Sequence, residues 1–505
     1  MNPETYAELD AVAIAQGVRR REYSAVEVAQ AALDRIDSLD DELGAFTVRL
    51  GESALPDAAA IDAAVARGED VGPLAGVPVS IKDFVWMRGV LATNGSLALR
   101  DFVPDVDCVP VARLRQAGAT IVGKTNNPEF CYRGYTDNAL WGLTRNPWNL
   151  ERTPGGSSGG AGASVAAGMT PLAIGTDGGG SVRIPASYCG LVGVKPTFGL
   201  VPKEPGFPGW KTLSIIGPLT RTVRDAALML AVIAGVDPGD DMSYPGGDRD
   251  FAGSVALGAA DAPVALNGLR VAYSADGGFA AVDPDVRRVF AGAVERFAAR
   301  TGTAPVEAYP AVSDPIALWE LISGVEGFAS EGPLLAEHEA EMTPGTADMI
   351  RAGDLPAVSY VNAMHERGRY TTAWSEFFEE YDLLLSPTMQ STAFAVGLDG
   401  PEVIDGRRFA PGDGAWANLV LAANLTGQPA VTVPCGRGDD GLPIGLEITA
   451  RRFEDALALR AAAAWETVAP WPLLAPGVAK NGGYHDQNPP RLRWWARARG
   501  SRLAR

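Results

Sequence analysis

Three consecutive glycines, Gly178, Gly179 and Gly180, stand directly before Ser181, with Asp177 in front of them and Arg183 two places after the serine. Successive glycines can turn their N–H groups to one side and form an anion-binding nest. "DGGGS" therefore has the composition of an oxyanion hole, made by the N–H groups of residues 178 to 181, around a carbon that Ser181 Oγ attacks. Asp177 and Arg183 carry opposite charges and could brace this loop from within. The plain alternative is a glycine bulge with an idle serine. A serine nucleophile needs a base, and the usual one is scarce here: the histidines are His338, His365 and His485.

Lysine is scarce in a different way. The chain has 37 arginines and six lysines, Lys82, Lys124, Lys195, Lys203, Lys211 and Lys480, five of them between 82 and 211. Where arginine serves for ordinary positive charge, a retained lysine marks a place for a compact amine that can lose its proton. A lysine at a glycine-tight turn can also be purely structural. A second glycine-serine stretch, "TPGGSSGGAG" (153–162), runs into an alanine-rich segment. Its composition suits a flexible linker, but linkers rarely separate a tight turn from a helix. No Gly-Lys-Ser/Thr follows for a phosphate loop, and no acidic partner completes a dinucleotide pattern. These glycines instead suit a backbone that approaches a reacting centre closely.

The elements that would hold these loops read as alternating helix and strand. Residues 10–40 form two amphipathic helices, the second opened by Ser24 and Glu27 at capping-box spacing. Strands are expected at "LAGVPVSIKDF" (74–84), with Lys82 near its end, and at "GATIVGKTN" (118–126), after a helix around "VARLRQAG". A helix over 161–169 precedes strands at "TPLAIGTD" and "GLVGVKPT". Residues 237–265 suggest a long surface connection. After it come a strand at "LRVAYS", a helix over 284–300, a mostly helical stretch over 315–380, and late strands at "YDLLLSPT" and "QPAVTVPCG". This alternation predicts an α/β fold around a mixed or parallel sheet.

Composition narrows the partners. Of 505 residues 47% are hydrophobic and 21% charged, with a net formal charge of −18, an ordinary globular balance. A surface this acidic argues against nucleic acid as principal partner, since phosphate binding needs a basic face. No stretch reaches the roughly 18 apolar residues of a membrane span, and the first residues lack the pattern of a secretory signal. The four cysteines, Cys108, Cys131, Cys189 and Cys435, include no CxxC pair, which disfavours a zinc site. A reduced, cytoplasmic protein without metal or cofactor is expected, with a homodimer left open.

"GVPVSIKDF", "VGKTNNPEF", "GGSSGGAGASVAAG", "GTDGGGSVRIPASYCGLVGVKPT" and "IGPLTRTVRD" occur in that order, followed by "YDLLLSPT", "NLTGQPAVTVP" and "GLPIGLEI". Together they resemble the amidase signature family over nearly the whole chain. The resemblance implies one domain over 1–505: a large mixed sheet covered by helices on both faces, a signature core over about 70–230 and a substrate-variable helical region over about 315–380. It also implies a Ser–cis-Ser–Lys triad of Ser181 as nucleophile, Ser157 as bridge and Lys82 as base, with a cis peptide between Gly156 and Ser157. Ser158 then falls in a structural role. A lysine of pKa about 10.4 in water acts as a base near neutrality only when desolvated, which the end of an apolar strand allows. The family usually carries a side chain where this chain has Gly178. Because the hole uses backbone donors, Gly178→Thr is expected to be tolerated.

The implied activity is hydrolysis of amide-type C–N bonds through a seryl acyl-enzyme. The substrate is expected to be a small, neutral, largely apolar amide (aliphatic, aryl, oligoamide or carbamate). Segments 131–142, 204–212 and 315–380 supply candidate pocket aromatics, Tyr132, Tyr135, Trp141, Phe207, Trp210, Trp319 and Trp374, and few cations, of which Arg133 and Lys211 are the main ones. An apolar ligand needs such walls. Two other readings stand beside this one: the amidase subunit of a glutamine-dependent tRNA amidotransferase, and an inactive scaffold on the same fold. The amidotransferase members tend to carry a "SLDQIGP"-like stretch, whereas this chain reads "TLSIIGPLT". The tail 489–505, "PPRLRWWARARGSRLAR", could dock on an anionic membrane or nucleic acid. Against that, the acidic body repels polyanions, so the tail is expected to lie on the protein itself.

Overall fold

The computed structural model describes residues 1–246, 250–256 and 266–476; the tail 489–505, Lys480 and His485 lie outside them. Eleven strands make one mixed sheet in the order β1-β3-β2-β4-β6-β5-β12-β13-β9-β7-β8. In chain order these are β1 Phe46–Arg49, β2 Pro78–Lys82, β3 Thr120–Thr125, β4 Leu172–Asp177, β5 Val192–Lys195, β6 Ile215–Thr220, β7 Val271–Tyr273, β8 Val306–Glu307, β9 Leu383–Pro387, β12 Ala430–Arg437 and β13 Pro443–Ala450. Between β9 and β12 a separate two-stranded ribbon pairs β10 Val403–Ile404 with β11 Arg407–Arg408.

β2 lies parallel to both β3 and β4, with Lys82 opposite Thr125 and Ile81 opposite Ile174. β4, β6, β5, β12, β13 and β9 then pair antiparallel in succession. The sheet is thus mixed, the first of the two arrangements expected. Every residue of β2, β3, β4, β6 and β13 is buried. A strand buried at successive positions has cover on both faces, so helices flank the sheet on both sides.

The N-terminal helices fall at Ala11–Arg20 and Ala25–Leu43. Ser24 and Glu27 close a full capping box on the second. Segment 237–265 carries one short helix, Phe251–Ser254, among its described residues. The region 315–380 forms three helices, Ile316–His338, Thr346–Ala352 and Ala357–Glu380. Among the described residues no helix is long and apolar enough to cross a membrane.

Candidate active site

Lys82 is the last residue of β2, completely buried, with its amine carried past the sheet edge into three hydroxyls. Nζ lies 2.6 Å from Ser157 Oγ, 2.8 Å from Thr176 Oγ1 and 3.1 Å from Ser158 Oγ. The Cys131 thiol faces the same amine and Ser157. Burial pushes the Lys82 amine below its ordinary value, because a low dielectric disfavours the charged form.

The glycines of "GGSSGG" let this loop sit on backbone. A Cβ on Gly156 would meet the carbonyl oxygen and nitrogen of Tyr135 at 2.5 and 2.6 Å. The Gly156–Ser157 peptide is cis. Ser158 follows at the entry of the helix Gly159–Ala166. Its N–H donates to the Ser181 carbonyl at 3.2 Å, tying the two serine loops together. Its hydroxyl also accepts from the Thr176 N–H at 3.2 Å.

The loop before Ser181 is held by Asp177. One carboxylate oxygen accepts the Gly180 N–H at 2.8 Å and the other the Val182 N–H at 3.2 Å. Arg183 grips the same carboxylate with Nε at 3.0 Å and Nη2 at 3.1 Å, and reaches Glu447 at 3.1 Å and Asn424 Oδ1 at 2.7 Å. Asn424 in turn donates to the Asp177 carbonyl at 2.9 Å. Burial alone would raise the Asp177 carboxyl, but Arg183 overrides it and holds the group well below the usual carboxylate range. The expected hole is corrected at one position. Gly180 adopts φ 99° and spends its N–H on Asp177. Of the four N–H groups expected in the hole, that of Gly180 is therefore already engaged.

Ser181 stands at the border of two chambers. The inner one, about 20 Å³, is lined by Phe84, Phe130, Cys131, Ser157, Thr176, Gly178, Ser214, Trp210 and Glu331. The outer one, about 550 Å³, is walled by Tyr132, Tyr135, Trp210, Trp319 and Trp416, with Arg133 beside Glu320, Asp399 and Asp413. Of the expected pocket aromatics, Tyr132, Tyr135, Trp210 and Trp319 meet here and three do not. Trp141 turns away and donates to Thr93 Oγ1 at 2.9 Å. Phe207 packs behind the inner chamber against Phe84, Trp86 and Phe102, with centroids 5.4–5.6 Å apart. Trp374 is core, edge-on to Tyr309. Lys211 pairs at the surface with Asp241 at 2.7 Å. The expected tolerance of Gly178→Thr meets an obstacle, because a Cβ there would lie 2.6 Å from Trp210 Cε3 and 2.9 Å from Ser214 Oγ unless these side chains shift. Among the described residues no cluster of three or more His, Cys, Asp or Glu could hold a metal.

Thr176, Cys131 and Glu331 escaped the reading from sequence. Thr176 had a local signal, a hydroxyl in an apolar strand next to Asp177. Glu331 had none: it lies on the helix Ile316–His338 and reaches the inner chamber only by packing. Its carboxylate accepts from Tyr132 Oη at 2.8 Å and Ser330 Oγ at 2.6 Å. Burial pushes it up to about 7 from 4.5. The native protein therefore keeps this proton where the unfolded chain has lost it, and stability falls as pH rises from about 4.5 through 7. Glu331→Gln is expected to remove up to about 3 kcal/mol of that fall, read as a smaller difference between urea midpoints at pH 5 and pH 8.

The Amidase family matches residues 27–459. An acylamidase of Rhodococcus erythropolis is 39% identical over 92% of this chain and 96% of its own length. One component of the glutamyl-tRNA(Gln) amidotransferase of Gloeobacter violaceus is 36% identical over 92% of this chain and 97% of its own. A solved bacterial aryl acylamidase superposes with a TM-score of 0.86 at 31% identity, covering 94% of this chain and 99% of that one. Likeness of this extent, running through both glycine-serine loops and on into the late strands, places the chain in the amidase signature family.

Proposed function

We propose that the protein hydrolyses neutral, largely apolar amides through an acyl-enzyme on Ser181, with Ser157 and Lys82 as its proton relay. The observation that carries this is the buried Lys82 amine 2.6 Å from Ser157 Oγ, on a chamber wall that Ser157 shares with Ser181. Among the described residues, His338 pairs with Glu341 at 2.9 Å and His365 belongs to the helix Ala357–Glu380; neither lines a chamber.

Ser181 Oγ bonds to the carbonyl carbon as its proton passes to Ser157, whose own proton passes to neutral Lys82. The carbonyl oxygen becomes an oxyanion facing the N–H groups of Gly178, Gly179 and Ser181, which are worth most where water is excluded. Collapse breaks the C–N bond, and the relay returns a proton to the departing nitrogen. Water then repeats the sequence on the ester. Since the amine leaves while the acyl group stays bonded to Ser181, the larger chamber suits the amine and the smaller one the acyl group. An anilide of a short acid fits both. Relatives described as acylamidase and aryl acylamidase support this substrate class.

A second reading, glutamine amide hydrolysis in a tRNA amidotransferase, is favoured by the relatives that are components of such enzymes. Both readings are tested by kcat/KM for 4-nitroacetanilide against glutamine and a carboxylated amide of similar size. A preference for the neutral anilide is expected; a tenfold preference for the charged substrates, about 1.4 kcal/mol, would sink it and favour the amidotransferase. Labelling at Ser181 by a fluorophosphonate is expected, and a folded protein that stays unlabelled would exclude the seryl mechanism. We further propose that the protein works in the cytoplasm, without metal or cofactor.

A further inference from the structure

Trp210 occupies the space that a side chain at position 178 would fill. A Cβ on Gly178 would lie 2.6 Å from Trp210 Cε3 and 3.2 Å from its Cζ3. Gly178 is absent from the positive-φ glycines, so the indole, and not a special backbone conformation, demands glycine there. The ring is nearly buried and borders both chambers. Tyr132 and Trp319 stand edge-on to it, with centroids at 5.5 and 5.2 Å.

The backbone that carries the indole is also tightly held. The Trp210 carbonyl accepts the N–H groups of Leu213 and Ser214 at 3.2 and 2.9 Å. Lys203 Nζ donates to the Lys211 carbonyl at 2.6 Å. Glu326 takes the Thr212 N–H and hydroxyl at 3.1 and 2.6 Å, and Arg367 donates to the Thr212 carbonyl at 2.9 Å. Trp319 Nε1 donates to the Gly178 carbonyl at 2.8 Å, so the glycine strand and its aromatic neighbours are fastened to each other.

We infer that Trp210 determines acyl-chain specificity: as a fixed partition enabled by Gly178, it closes the inner chamber at the size of a short acyl group. This rests on the seryl mechanism and on the assignment of the acyl group to the inner side. A chamber of about 20 Å³ is little more than one water needs, which a methyl fills and a longer chain overfills. Removing the indole joins the two chambers and gives the chain somewhere to go.

The test is kcat/KM for 4-nitroanilides of acetic, butyric and hexanoic acids, with fluorophosphonate labelling alongside. The wild type should favour acetyl steeply. Trp210→Ala, and more mildly Trp210→Leu, should raise the hexanoyl-to-acetyl ratio by about tenfold or more, the scale on which a pocket senses methylenes. Gly178→Thr alone should label poorly, and Gly178→Thr combined with Trp210→Ala should recover labelling, because the new side chain enters vacated space. Variants at Trp210 that label like the wild type yet keep its chain-length ratio would overturn the inference and leave the seryl mechanism standing. A folded wild type that does not label would remove the mechanism itself. If Trp210→Ala is insoluble, the Trp210→Leu ratio decides.

Discussion

Turnover is expected to vanish in Ser181→Ala and to fall by about four to six orders of magnitude in Lys82→Ala and Ser157→Ala, as it does when members of a catalytic unit are removed one at a time. The three losses should not add, since each breaks the same relay. Lys82 has no charged acceptor among its hydroxyl neighbours, and burial lowers its affinity for a proton. In the proposed relay the active form is the neutral amine. The rate should therefore rise with pH to a plateau, with a midpoint below the ordinary lysine value of 10.5. Lys82→Arg should not rescue, because a guanidinium keeps its proton. Single-turnover rates with 4-nitroacetanilide between pH 6 and 10, on variants with unchanged melting curves, make the measurement. Near-normal turnover in Lys82→Ala would remove lysine from the chemistry.

Arg183→Ala is expected to cost about 3–5 kcal/mol of stability, the range found when one partner of a buried ion pair is deleted. Arg183 is wholly buried and answers two carboxylates, Asp177 and Glu447. Without it both face low dielectric, with Lys195 as the nearby cation. Burial and the charge of Arg183 push that lysine down to about 7. The orphaned carboxylates should take up protons, so the variant's native state binds more protons than its unfolded chain and its stability falls as pH rises. Arg183→Lys should recover little, because a point charge cannot hold Asp177 through two nitrogens. Urea titrations at pH 6 and 8 check both statements; a variant as stable as the wild type at pH 8 would mean that the network is dispensable.

What could be read from the chain was local. Ser181 follows three glycines, so residue type and spacing marked it, whereas Lys82 at the end of its strand and Ser157 between paired glycines were picked out by the resemblance to the amidase signature family. Hydrogen bonds that fold back over three residues were harder: Asp177 beside a glycine run looked like a charge partner for Arg183, and that it also takes the Gly180 N–H depends on the turn. The walls were hardest. Aromatic residues report large apolar area, not which side of a loop they face. Tyr132 and Trp210 therefore meet the chamber, while Trp141 and Phe207, from the same segments, spend themselves on Thr93 and on an aromatic cluster. Glu331 comes from a helix some 150 residues downstream of Ser181. The mixed character of the sheet is of the same kind, since β5 pairs with β12 across more than 200 residues.

The braces of the nucleophile loop have a consequence for how the protein is made. Asn424 and Glu447 reach back 247 and 264 positions to Asp177 and Arg183. While a ribosome is still short of residue 424, both serines and the lysine are already in the nascent chain, but the loop that carries Ser181 has neither far anchor. Domains tend to form as units during synthesis, and here the last strand of the sheet completes the first chemistry. A polypeptide abandoned before those positions therefore carries Ser181 on a loop without its far braces.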